Sequence, residues 1–219
     1  MNQAIGWKQR SAEQMLGRTR KNAEARTLKI VDAAIEQITE SGLSGFTVQA
    51  VLGRCGLALS TFYSRFSGKD DLMLAVYEET IHRSSKDLSN MLDGVDGSPV
   101  DRLRVLVRFQ MEGSLRSKSD NLITALKHEY NRLADERPEQ LEFVMRPLHE
   151  LIASQIQLGQ QAGLIRDADP LNCAVMIRSL ITTSTLYIPA ALTRESEIAE
   201  FIEKAAEEVW DFCWHAIKR

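Results

Sequence analysis

Apolar residues recur along this chain at intervals of three and four, the period of an amphipathic helix, and no stretch alternates as a half-buried strand would. Leu28, Val31, Ile35 and Ile38 form one such stripe. They predict a helix from Ala23 to Glu40, stopped by Ser41-Gly42, with Gly42 as the residue past its end. Residues 1–22 are polar, basic and poorly periodic, and read as an arm. Thr47 is a good N-cap for a short helix from Val48 to Cys55. Gly56 can take the left-handed conformation of a tight turn. A second short helix is expected from Leu59 to Phe66. After Ser67-Gly68 a long helix should run from Lys69 to Asn90. The Gly, Asp, Ser and Pro of Met91–Pro99 mark a loop.

Further helices are predicted from Pro99 or Asp101 to Lys118, and from Asn121 to Ala134 behind Ser119-Asp120. Another should run from Pro138 to Ala162, kinked at Pro147 and ended by Gly163. The last two are Pro170–Ile188, closed by Pro189, and Glu195–Ile217. In the final helix Ile198, Phe201, Ile202, Ala205, Val209, Phe212 and Ala216 share a stripe. The fold class is therefore all-α. Two short helices around a glycine turn, behind a longer helix, describe an N-terminal three-helix helix-turn-helix domain. A C-terminal helical bundle follows it. Within the head, Val48, Val51, Leu57, Phe62 and Phe66 are apolar at helical spacing and should form the small core.

Charge changes the picture more than composition does. The 219 residues are 44% hydrophobic and 26% charged, ordinary for a globular protein. The net charge of −3 hides an asymmetry. Residues 1–69 hold ten Lys and Arg against five acids. From totals of 27 and 30, that leaves seventeen bases against twenty-five acids in the rest. A basic head on an acidic body suits a polyanion bound by the head alone. The three cysteines, Cys55, Cys173 and Cys213, are scattered, with neither a disulfide framework nor zinc spacing. No apolar run reaches the length of a membrane span, and MNQAIGWKQR has no signal-peptide core. A cytoplasmic protein without a membrane partner is the expectation.

The segment from Ala23 to Glu79 resembles the TetR family of bacterial repressors. The resemblance is carried by Gly45-Phe46, Thr47-Val48, Gly56-Leu57, Ser60-Thr61-Phe62-Tyr63 with Phe66, and Lys69-Asp70-Asp71-Leu72. Gly163-Leu164-Ile165-Arg166 with Asp169-Pro170 is similar to the family's usual entry into its eighth helix. The chain departs from the family pattern at Ala58, where Ser is common, and at Leu52, Ser64 and Arg65. Loss of Ser at position 58 removes a helix cap and a phosphate donor.

The resemblance implies three parts: a basic arm (1–22), a DNA-binding domain (23–69), and a ligand-binding and dimerisation domain (70–219). It places Thr47, Thr61, Tyr63 and Lys69 at phosphates, which fix register without reading sequence. Lys69 also opens a helix whose free N–H groups favour an anion. Base readout would fall to Gln49, Leu59, Ser60 and Ser64, with Arg65 able to reach a base or a phosphate. The arm's Lys8, Arg10, Arg18, Arg20 and Lys21 would follow the minor groove. The partner would be a palindromic double-stranded operator bound by a homodimer. The dimer face would come from the last two helices through Ile198, Phe201, Ile202, Val209 and Phe212, with Trp210 and Trp214 one turn apart. A small apolar or amphipathic effector is implied among the middle helices. Candidate contacts are Phe109, Glu112, His128, Tyr130, Met145, His149, Thr183 and Tyr187, polar or aromatic residues set in apolar stretches.

Two other classes compete. A helical adaptor whose basic head binds an acidic protein accounts for the charge asymmetry, but not for the helix-turn-helix grammar. A helical-bundle enzyme would need paired Glu-x-x-His motifs. This chain has one, Glu79-x-x-His82, and its four histidines are not clustered. No catalytic set, cofactor or metal is expected.

Overall fold

The computed structural model describes residues 7–115, 120–184 and 195–219. Nine α-helices lie among them: α1 (Trp7–Gly45), α2 (Val48–Cys55), α3 (Leu59–Tyr63), α4 (Lys69–Asp93), α5 (Pro99–Leu115), α6 (Asn121–Glu136), α7 (Pro138–Gln161), α8 (Pro170–Ser184) and α9 (Glu195–Ile217). The described residues form no strand, only one isolated bridge between Ile165 and Lys218. The chain divides into two compact units, residues 1–76 and 77–219, with the boundary inside α4.

In the first unit, α1 begins at Trp7, well before the apolar stripe that starts near Leu28. Where an arm was expected, residues 14–22 are helical with exposed side chains. Their Ala, Glu, Gln, Met, Leu, Lys and Arg content favours helix without any core contact. The regular helix is kinked at Gly42, whose φ is 63° and ψ −171°. Thr47 then caps α2, its hydroxyl accepting from the Ala50 amide at 3.1 Å. Gly56 ends α2 in the left-handed conformation, φ 65° and ψ 34°. Helix α3 is shorter than expected, ending at Tyr63; single turns through the Arg65 and Phe66 amides, both bonded to the Phe62 carbonyl, carry the chain on. Ile30, Ala34, Ile38, Phe46, Val51 and Phe62 are buried together as this unit's core. The Arg54 guanidinium joins α2 to α1 through Glu40 at 2.9 Å and Gln37 at 3.2 Å.

In the second unit, α5 is central and packs on α7, α8 and α9. Leu103, Leu106, Val107 and Met111 of α5 are fully enclosed, together with Leu133, Ile152, Ile156, Ala174, Ile181 and Ala206. Asp120 caps α6 by accepting from the Leu122 and Ile123 amides. Pro147 sits within α7, which continues past it. Gly163, at φ 71°, turns the chain out of α7. The loop beyond is clasped to the end of α9: the Arg166 amide donates to the Ile217 carbonyl and the Arg219 amide to that of Leu164. Arg104 and Arg108 of α5 both pair with Glu207 of α9, the latter at 3.0 Å.

Candidate DNA-binding surface and effector cavities

The candidate surface grows from one packing decision in α3. Phe62 is fully buried and stacks on Phe66, with ring centroids 5.4 Å apart. Burying Phe62 turns its neighbour Tyr63 outward, and Tyr63 is 62% exposed. Leu59 and Ser60 are exposed on the same helix, and Ser64 just past its end. Thr47 and Gln49 are exposed at the start of α2. Thr61 is half-buried, and its carbonyl accepts from the Ser64 hydroxyl at 2.8 Å. Arg65 is half-buried, and its Nε is enclosed without a hydrogen-bond partner.

Lys69 opens α4 with its ammonium 5.0 Å from the centre of the Phe46 ring. That contact holds the exposed charge by the face of an aromatic ring. Asp71, within the first turn of α4, accepts from the Ser67 amide at 2.9 Å and from its hydroxyl. The carboxylate thereby fixes the bend between α3 and α4, a role that sequence reasoning missed. Ala58 stands at the N-cap of α3 with extended φ and ψ and no side-chain bond to the helix. The expected loss of that cap is thus visible. Leu59 exposes half of its surface.

The second unit holds two adjoining cavities. The first, about 300 Å³, lies among α6, α7 and α8 and is lined by Tyr130, Leu141, Met145, Arg146, His149 and Arg178, among others. The second, about 290 Å³, lies among α4, α6 and α8 and includes Tyr77, Ile123, Lys127, Tyr130, Arg178 and Thr182. Tyr130, Arg178 and Ser179 line both. Apolar walls with a few polar anchors are the ordinary make-up of a small-molecule site. Of the predicted contacts, Tyr130, Met145 and His149 come together in the first cavity, and Thr183 lines the second. Phe109, Glu112 and His128 line neither; Phe109 is 49% exposed, and Glu112 lies 3.8 Å from Arg108. Tyr187 lies outside the described residues.

Tyr77 and Arg178 were not anticipated. The Tyr77 hydroxyl donates to the Met145 sulfur at 3.2 Å, and burial pushes its pKa upward. Burial also lowers the His149 pKa from its ordinary value, and the nearby Arg178 charge adds to that while Glu142 opposes it. Lys127 is lowered by burial. The isolated Glu79-x-x-His82 motif binds its carboxylate to Arg83 at 2.6 Å. Among the described residues no group of three His, Cys, Asp or Glu is placed to hold a metal.

The residues expected at a dimer face divide sharply. Ile202 and Val209 are buried within the chain, Ile198 and Phe201 are half-buried, and Phe212 is 69% exposed. Trp210 is buried and stacks on Trp214, with ring centroids 6.0 Å apart. Met176 of α8 is 62% exposed, and with Phe212 it borders a shallow apolar depression between α8 and α9. No described helix is long and apolar enough to cross a membrane.

A short exposed helix, held over a small core by a capped partner helix, defines a helix-turn-helix DNA-binding domain. Residues 30–76 match the family model for bacterial regulatory proteins, tetR family. The fatty acid metabolism regulator protein of Bacillus subtilis (strain 168) is 20% identical over 147 residues, covering 67% of this chain and 74% of that protein. Among solved structures, a TetR-family transcriptional regulator from Mesorhizobium loti superposes with a TM-score of 0.64 at 18% identity, covering 90% of this chain and 98% of that one. FadR from Bacillus subtilis, solved with stearoyl-CoA, gives 0.60 at 16% identity, covering 85% and 96%. AibR, solved with isovaleryl coenzyme A and operator DNA, gives 0.56 at 18% identity, covering 85% and 97%. The structural likenesses establish the fold. The family match covers the N-terminal segment, and with the curated relative it supports a DNA-binding transcriptional regulator.

Proposed function

We propose that this regulator is a cytoplasmic repressor that binds a palindromic operator as a homodimer, and that a small molecule in the C-terminal unit alters its grip on DNA. The observation that carries the reading is the surface formed by Thr47, Gln49, Leu59, Ser60, Tyr63 and Lys69, all exposed around a core closed by Phe62. Thr47, Tyr63 and Lys69 supply donors for phosphates. Gln49 and Ser60 can address base edges, and Leu59 a thymine methyl. Ser64 is exposed beside them, while Thr61 and Arg65 are half-buried. A single unit of this size reads too few base pairs for genomic selectivity, which favours pairing across a two-fold axis. The exposed Phe212 and Met176 suit that pairing.

The effector is assigned to the two cavities around Tyr130. The ligands named with FadR and AibR, stearoyl-CoA and isovaleryl coenzyme A, are acyl thioesters and support an amphipathic molecule as the class. Its effect is a coupling free energy between two distinct sites, cavity and operator. Regulation, rather than catalysis, is the role of the curated relative.

The test is selection of bound duplexes from a random pool at near-physiological salt. Enrichment of a palindrome whose half-sites are one helical turn or more apart is the expected result. Affinity for it should fall steeply with salt through counterion release. Recovery of no preferred sequence by the folded protein refutes the reading.

A further inference from the structure

Arg178 sits where the two cavities meet, and its surroundings are unusual for a cation. The residue is half-buried overall, but its Nε is sealed from solvent and has no hydrogen-bond partner. Its Nη1 donates to the Thr182 hydroxyl at 3.1 Å, one turn along α8. Tyr77 and Tyr130 are close enough to act on its charge, and it acts in turn on His149. Those neighbours come from α4, α6 and α7, and none is a carboxylate. Among the described residues no acid pairs with Arg178. The nearby buried Glu129 is held by Arg132 at 2.6 Å. Glu142 lines the first cavity, but the second has Lys127 and Arg178 and no acidic residue.

A guanidinium set in a cavity wall with no counter-ion, its Nε shut from water and unpaired, carries a desolvation cost that an anion could relieve. A planar fork of donors matches the geometry of a carboxylate or phosphate. Around it, Ile81, Ile123 and Leu126 in one cavity and Leu141, Met145 and Val175 in the other supply apolar walls.

We infer that Arg178 is the anchor for an oxyanion, so that the effector is an amphipathic anion with its charged head at Arg178 and its apolar chain along the adjoining walls. This rests on the effector reading above and narrows its ligand class. The acidic balance of the C-terminal part does not oppose such a ligand. The local cation outweighs the distant surface charges, which solvent and salt screen.

The experiment is calorimetric titration of the full-length protein with decanoate, decyl phosphate and decanol, which share a chain and differ in the head. The wild-type protein should bind an oxyanion about tenfold or more tighter than decanol, the scale of a charge-assisted hydrogen bond. The tighter of decanoate and decyl phosphate then identifies the head. Arg178→Met should bind all three alike and melt no lower than wild type without ligand, since it removes a partly desolvated charge that has no counter-ion. Arg178→Lys keeps the charge without the fork and should retain a reduced preference, which separates loss of the anchor from loss of the fold. Equal wild-type binding of decanol and the oxyanions overturns the inference, as does a preference that survives in Arg178→Met. An oxyanion that binds through Arg178 but leaves operator affinity unchanged instead refutes the ligand-responsive reading while the anion site stands.

Discussion

Tyr63 faces outward because Phe62 faces inward, and among the described residues its hydroxyl makes no hydrogen bond. Removing that oxygen should cost only a bond to DNA. We predict that Tyr63→Phe weakens operator binding by about 0.5–1.5 kcal/mol without changing the melting temperature. Fluorescence anisotropy on the selected operator measures this, and unchanged affinity removes Tyr63 from the contact set. His149 offers a test of the cavity by pH. Burial and the Arg178 charge depress its folded pKa below the ordinary 6.5, with Tyr130 of α6 and Glu142 of its own helix lining the same cavity. A depressed pKa means the unfolded chain binds the proton first. His149 therefore contributes stability above pH 6.5 that is lost as the pH falls towards its folded pKa. His149→Gln should flatten the decline in melting temperature on going below that pH, and parallel curves for the two proteins would contradict the placement. Tyr130, Met145 and His149 were legible in the sequence because polar or aromatic groups interrupt apolar runs there. Tyr77 and Arg178 were not. An arginine on α8 reads as one more solvated charge until the fold sets it in the walls that Tyr77, Tyr130 and His149 also line.

At the scale of elements, turn and cap chemistry read most faithfully. Thr47, Gly56, Asp120, Pro138 and Gly163 each mark a boundary through local stereochemistry, and α2, α6 and α7 begin where those residues place them. The start of α1 was missed because nothing packs on residues 14–22; helix propensity alone extends it, and periodicity carries no signal for that. The end of α3 was placed too late because Phe66 belongs to the same apolar cluster as Phe62 although the regular helix has already stopped. Two substitutions probe this level. Ala58 already has the extended backbone of an N-cap, so Ala58→Ser should add the missing bond to α3 and raise stability by about 0.5–1 kcal/mol. Denaturant titration decides it, and no gain would mean that the Ser side chain points elsewhere. In the second unit, Gly159 lets α7 meet the loop that follows it. A Cβ there would stand 2.5 Å from the Ile165 Cδ1. Gly159→Ala should therefore destabilise by about 1–3 kcal/mol through overpacking. It should also loosen the clasp in which Ile165 and its neighbours meet the end of α9. An alanine variant as stable as wild type would show that the loop yields freely.

For the whole molecule the decisive question is what covers α8 and α9. The stripe along α9 was read as one apolar face, yet a single helical stripe can serve two masters. Ile202, Ala206, Val209 and Cys213 are spent on the chain's own core, and burial lifts the Cys213 thiol pKa to about 11. Phe212 lies beyond that core and leaves most of its ring in water, near Met176 of α8. Periodicity finds such a stripe but cannot divide it, because the division depends on which side of α9 the helix α5 occupies. The distinction sets the right mutation. A charge at Val209 would break the subunit and reveal nothing about association. Phe212→Glu leaves the core intact and should act only on pairing. We predict that Phe212→Glu keeps its melting profile at low concentration, shifts from dimer to monomer in sedimentation, and loses roughly 2 kcal/mol or more of operator affinity, as expected when a buried aromatic anchor is removed from an interface. Because operator binding by a dimer depends on two linked half-sites, the same variant should also show a smaller dependence of affinity on salt, having lost half of its phosphate contacts. A Phe212→Glu protein that stays dimeric with full operator affinity would move the interface to another face of the C-terminal unit.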